Sequence, residues 1–259
     1  MYDFSPDFAA LGIQPGDALL MHSSMKALGT DATPEAFLEG LQAYLGPEGT
    51  LLLPALTYES VTPERPLFRI AATEPCVGLL PRVFRRLPGV RRSLHPTHSC
   101  CARGRLAEAL TSRHALDTTP VGPNSPFRLL ADAGGKILMV GDINDHCTFM
   151  HGMEEIAGAP YCLNKAPTRY VLEDWDGSRR EAYLYGHDFS QVAAQRYGRF
   201  ENLLAAPDLR RGKICRANCT LIDAAALREA AVPKPREDPW YFVERRTSPK
   251  RGDGTSSDP

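Results

Sequence analysis

The segment Cys147–Glu155 (CTFMHGMEE) sets an imidazole and a carboxylate three positions apart, at His151 and Glu154. On a helix that spacing puts both side chains on one face. A carboxylate beside an imidazole raises its basicity and can fix its tautomer, as a general base working near neutral pH requires. The plainer reading is a surface helix with an incidental His–Glu pair. Cys147 offers a second chemistry, a cysteine nucleophile that forms a covalent intermediate. A cysteine in such a place is more often a small packing residue.

Two further segments concentrate polar groups. His22–Gly29 (HSSMKALG) brings hydroxyls and backbone N–H groups to a loop that leads toward a helix. Such a loop can cradle a phosphate or polarise a carbonyl oxygen. It lacks the glycine spacing of a P-loop or dinucleotide fingerprint and is no nucleophile elbow. Arg92–Gly104 (RSLHPTHSCCARG) gathers Arg, Ser and two His around a rigid proline. It reads as a buried polar loop whose side chains satisfy backbone groups. A metal site from His95, His98, Cys100 or Cys101 is the remaining alternative. No second ligand pair with zinc-like spacing accompanies it, so no metal is expected.

The elements that must carry these segments follow from hydrophobic patterning. Asp17–His22 (DALLMH), Thr50–Pro54 (TLLLP) and Lys136–Gly141 (KILMVG) are short runs with continuous apolar centres and read as buried strands. The His22 and His151 segments therefore each follow a buried strand, where open α/β sheets place their ligand sites. Thr33–Leu45 reads as a helix with a threonine N-cap and a first-turn proline. Val77–Leu87, Leu106–Arg113, Phe189–Leu204 and Ile222–Ala231 are expected helices, and Lys213–Leu221 an expected strand. Thr168–Leu172 and Glu181–Tyr185 flank an Asp176-Gly177 turn and read as a hairpin. Crossovers and a hairpin together require a mixed sheet.

Bulk properties set the limits. The 259 residues are 43% hydrophobic and 24% charged, with a formal net charge of -1, which removes any strong global drive toward nucleic acid or anionic membrane. The first sixty residues carry Lys26 as their only Lys or Arg, whereas Arg82–Arg113 is dominated by arginine. That stretch is a solvated surface pattern or an anion-binding wall, and it lacks the interleaved aromatics of a nucleic-acid binder. The acidic N-terminus has no export signal and no run is long enough to span a membrane, so a cytoplasmic protein with free cysteines is expected. The polar tail, residues 247–259, is expected to be disordered.

Five segments in register resemble the aminoglycoside 3-N-acetyltransferase family, also called the antibiotic N-acetyltransferases. They are HSSMKALG, GPEGTLLLP at Gly46–Pro54, RSLHPTHSCCARGRLA at Arg92–Ala107, SPFRLLADAGGKILMVG at Ser125–Gly141, and TFMHGMEE at Thr148–Glu155. The resemblance runs from about Leu11 to Leu227. It implies one α/β domain over residues 1–246, a central mixed β-sheet flanked by helices, distinct from the GNAT architecture. It implies acetyl-CoA as co-substrate and direct attack by an amine. Catalytic roles then fall on His151, Glu154 and Thr148, with backbone N–H groups near Ser23 and Ser24 stabilising the oxyanion. Coenzyme contacts fall on His22, Ser23, Ser24, Lys26, Gly29, Arg92, Ser93, His95 and Ser99.

For the acceptor, Tyr58, Glu59, Asp142, Asp145 and Glu155 could supply a wall suited to a polycationic aminoglycoside. Phe68-Arg69 replaces the family's usual Phe-Asp and disfavours a polycation if Arg69 faces the cleft. The alternatives are a divergent member acetylating another metabolite, a CoA thioester hydrolase in which His151 activates water, and a non-catalytic CoA-binding protein. Small-molecule partners are expected, with neither nucleic acid nor membrane, and a homodimer is left open.

Overall fold

A computed structural model describes residues 2–247; the expected tail from residue 248 onward lies outside the described residues. In chain order the strands are β1 (Ala18–Ser23), β2 (Thr50–Pro54), β3 (Leu67–Arg69), β4 (Arg91–Arg92), β5 (Cys100–Gly104) and β6 (Lys136–Val140). They continue with β7 (Thr168–Glu173), β8 (Arg179–Leu184), β9 (Val192–Gln195), β10 (Leu209–Ile214), β11 (Ala217–Asp223) and β12 (Val243–Arg245). The helices are α1 (Ser5–Leu11), α2 (Met25–Leu28), α3 (Pro34–Leu45), α4 (Leu79–Phe84), α5 (Ala107–Thr111), α6 (Pro126–Asp132), α7 (Phe149–Ala157) and α8 (Ala224–Ala231), followed by the short α9 (Lys234–Glu237).

The central sheet has seven strands in the order β10-β11-β6-β1-β2-β5-β4. β1 runs parallel to both β2 and β6, while β5 and β11 join antiparallel on either side, so the sheet is mixed. Alternation along the apolar strands divides the core. Leu20, Ile137 and Met139 pack with α6, α7 and α8 on one face. Leu19, Met21, Leu138 and Val140 pack with α1, α3 and α4 on the other. Both faces are covered, which is why these strands read as continuous apolar runs rather than alternating ones. The parallel set points the ends of β1, β2 and β6 to one edge of the sheet, and the reactive segments emerge there.

Several expected elements differ in detail. Phe189–Leu204 is no α-helix. Its first half forms β9, which pairs with β12, and its second half is a 3-10 turn over Tyr197–Asn202. Tertiary pairing overrides helical spacing there, and the Gly198 N–H is held by Asp145. The single strand expected at Lys213–Leu221 is instead the hairpin of β10 and β11, turning through Cys215, whose φ is +50°. The loop expected after His98 enters β5 at Cys100. The hairpin around Asp176-Gly177 forms as β7 and β8, with β3 added alongside β7 in a separate three-stranded sheet.

Candidate active site

His151 and Glu154 lie on α7, which begins where the loop after β6 ends. The start of this helix is tied to β1, because the Thr148 N–H donates to His22 Nε2 at 2.9 Å. His22 is therefore an acceptor at Nε2, and burial pushes its pKa down to about 3, assisted by the nearby His151 and His146. Gly152 lets the helix approach its neighbours closely: a Cβ there would come within 2.8 Å of Val121 Cγ1. Gly158, in the left-handed region at φ +73°, ends the helix.

Glu154 is fully buried, and each of its oxygens accepts a tyrosine hydroxyl at 2.8 Å, Tyr161 on Oε1 and Tyr197 on Oε2. The Tyr197 oxygen also lies 2.8 Å from His151 Nδ1, while the direct separation from Nδ1 to Glu154 Oε2 is 3.5 Å. A phenol has one proton. If Tyr197 donates it to the carboxylate, the contact with His151 requires an N–H at Nδ1. This assignment leaves the Nε2 lone pair of His151 free. The carboxylate thus acts on the imidazole mainly through a tyrosine. Burial first, then the Glu154 charge, holds the Tyr197 phenol well above its ordinary pKa, so it stays a protonated relay.

His151 opens onto a cavity of about 630 Å³. Of the residues anticipated from sequence, His22, Ser23, Tyr58, Thr148 and His151 line it. Apolar residues including Leu56, Val77 and Pro81, together with Gly78, also line it. His98, His146 and His187 complete a set of five lining histidines with His22 and His151. Among the described residues, no Asp or Glu lines this cavity.

Other anticipated residues stand elsewhere. Ser24 caps α2 and its N–H donates to the Val140 carbonyl, so that N–H is already used. Lys26 and Gly29 belong to the same short helix and its end and do not line the cavity. Arg92 is buried, its guanidinium donating to the carbonyls of Ile70, Thr73 and Ala55 and to Ser99 Oγ. Ser99 in turn donates to Ala55, and Ser93 accepts the Cys100 N–H. His95 accepts the N–H groups of Thr97 and His98 at Nδ1. These four form the buried polar loop that satisfies backbone groups. The arginine-rich stretch is not an open anion wall either, since Arg85 and Arg86 pair with Glu74, Arg91 with Glu108 and Arg103 with Glu39.

Glu155 does not line the cavity. It accepts from Thr119 Oγ1 and the Val121 N–H and lies 3.0 Å from His187 Nε2. Glu59 is exposed, and Asp145 is spent on the Gly198 N–H and Arg196. Asp142 lies off the cavity wall. Arg69 pairs with Glu173 on β7 and does not line the cavity, so the condition that it face the cleft is not met. Cys147 is buried, off the lining, and burial pushes its thiol up to about 12, which withholds the thiolate a covalent route needs. Cys100 and Cys101 are buried in β5 and do not join His98 in a metal set. Sequence reasoning missed Tyr161, Tyr197 and His187. Their segments carry no motif, and only the fold brings them to α7.

A family model for aminoglycoside 3-N-acetyltransferases matches residues 20–234. The chain is 33% identical over 172 residues to aminoglycoside N(3)-acetyltransferase VII of Streptomyces paromomycinus, which spans 60% of this chain and 59% of that protein. It is 32% identical over 200 residues to aminoglycoside N(3)-acetyltransferase III of Serratia marcescens, covering 71% of this chain and 73% of that protein. The solved structure of AAC-IIIb as a binary complex with CoASH superposes with a TM-score of 0.78 at 30% identity, over 90% of this chain and 95% of that one. No described helix is long and apolar enough to cross a membrane. The chain belongs to the aminoglycoside 3-N-acetyltransferase family, a family of acyltransferases.

Proposed function

We propose that the chain is an acetyl-CoA-dependent N-acetyltransferase in which His151 Nε2 takes the proton from the acceptor amine. The observation that carries this reading is the relay of Glu154, Tyr197 and His151, which leaves one basic nitrogen facing a cavity. Acetyl-CoA would supply an activated acyl group as a thioester. Ser23 together with the apolar lining residues Leu56, Val77, Gly78 and Pro81 fits a pantetheine arm, a narrow chain that alternates two amides with short alkyl links. The relative crystallised with CoASH supports the same co-substrate.

An alkylammonium is almost wholly protonated at neutral pH and cannot attack until it loses a proton. His151 accepts that proton, Tyr197 holds the opposite edge of the ring, and Glu154 stabilises the imidazolium through the phenol. The Ser23 hydroxyl is the group on the lining best suited to the developing oxyanion.

The named relatives act on aminoglycosides, and an aminoglycoside amine is the first acceptor to test. A specific observation favours a second reading, a small amine of lower charge: the lining carries histidines and apolar groups without a carboxylate. The test is thiol release from acetyl-CoA against aminoglycosides and simple monoamines, with mass spectrometry of the products. His151→Ala should lower the rate of the accepted substrate by about 100-fold or more. A variant that keeps the wild-type rate and pH profile would refute the assignment of the base.

A further inference from the structure

We propose that His98, His151 and His187 form a site for one divalent transition-metal ion of the zinc class, with its open position on the cavity. One ring nitrogen from each of the three lies within 4.8 Å of those of the other two. A tetrahedral ion at about 2.1 Å from each nitrogen needs them roughly 3.4 Å apart, so side-chain rotations on the order of 1 Å close the set.

The tautomers suit this role. Each ring has one nitrogen on a protein partner, which leaves the second for an ion: His151 Nδ1 is on the Tyr197 hydroxyl, His98 Nδ1 on Thr97 Oγ1 at 2.9 Å, and His187 Nε2 on Glu155 at 3.0 Å. Such outer hydrogen bonds fix the orientation of metal-binding histidines and raise their basicity, and the Glu155–His187 contact is of the carboxylate–histidine kind. The independent observation is His187 Nδ1. Its side chain is 4% exposed, yet this nitrogen has no hydrogen-bond partner. With Nε2–H donated to Glu155, Nδ1 carries a lone pair, and leaving it buried and unmet is costly. Its ring lies 4.5 Å from that of His151 and 4.7 Å from that of His98, centre to centre. Three imidazoles with no carboxylate select zinc-class ions over magnesium or calcium.

One consequence rests on the function proposed above. An ion on His151 occupies the lone pair that would take the amine proton, so metal binding and acetyl transfer exclude each other.

The decisive experiment titrates the metal-stripped, full-length chain with zinc by calorimetry and with cobalt by absorption spectroscopy. Expected are one ion per chain and tetrahedral cobalt bands without a thiolate charge-transfer band. His98→Ala and His187→Asn should each weaken binding at least about tenfold, with circular dichroism unchanged. Absence of saturable binding, a thiolate band that assigns the ion to cysteines, or unaltered affinity in both variants would overturn the site. Zinc should also stop thiol release and a chelator restore it, and full turnover at saturating zinc would overturn the competition. If no acceptor is ever acetylated, the calorimetric and cobalt readouts still decide the site on their own.

Discussion

Tyr197→Phe removes one oxygen from the site and leaves its volume almost unchanged. That oxygen lies 2.8 Å from both His151 Nδ1 and Glu154 Oε2. Without it, a ring N–H and a buried carboxylate oxygen lose their shared partner, with 3.5 Å between them. An unmet buried polar group costs about 1–3 kcal/mol. If the loss falls on the protonated imidazole of the transition state, the rate falls roughly 5- to 150-fold. Tyr161→Phe is the control, because its hydroxyl touches Glu154 Oε1 and does not contact His151. Both variants remove one donor to the same carboxylate, so both should lower the melting temperature. Only Tyr197→Phe should lower kcat and shift the acidic limb of its pH profile, where the base becomes protonated. The assay is initial-rate thiol release across pH, alongside thermal melts. Equal kcat losses in the two variants, or an unchanged kcat in Tyr197→Phe, would refute the relay.

Two further outcomes follow from buried polar groups. Burial holds both His22 and His114 down to about 3, below the ordinary histidine value. Between that value and about pH 6.5 the unfolded chain binds the protons that the folded chain refuses, so stability falls as pH drops. At pH 5 the loss approaches 2 kcal/mol for each group as an upper bound. Glu155 and Asp117, pushed up by burial, act with the opposite sign at lower pH. Urea unfolding at pH 7.5 and 5 should therefore show a net loss at pH 5, and a flat profile would contradict neutral burial of these rings. Arg92→Lys cannot satisfy three carbonyls and Ser99 as the guanidinium does. It should lower stability by about 2–4 kcal/mol while the KM for acetyl-CoA changes less than about twofold. A raised KM with an unchanged melting temperature would return Arg92 to the coenzyme.

Much of the scaffold was legible in the chain itself. Apolar runs DALLMH, TLLLP and KILMVG had to be buried on both faces, because no polar side chain interrupts them. The Thr-Pro start and glycine stop of α3 follow from caps and backbone freedom. The His151–Glu154 spacing is a local property of a helix, so their common face needed no tertiary knowledge. Local patterning failed where distant strands decide the conformation. The helical spacing of Phe189–Leu204 gave way to pairing of β9 with β12, and that change delivers Tyr197 to His151. The Arg92, Ser93, His95 and Ser99 cluster has the residue types of a ligand site. Its hydrogen bonds are nevertheless consumed by carbonyls and amides that only the folded chain brings near. Likewise, His98 meets His151 and His187 from three separate segments, none of which signals the others. Helical neighbours are set by a rise and a turn along the chain, and a sequence carries that geometry. Partners across a cavity are set by how the sheet stacks its crossings, and no spacing along the chain encodes that distance.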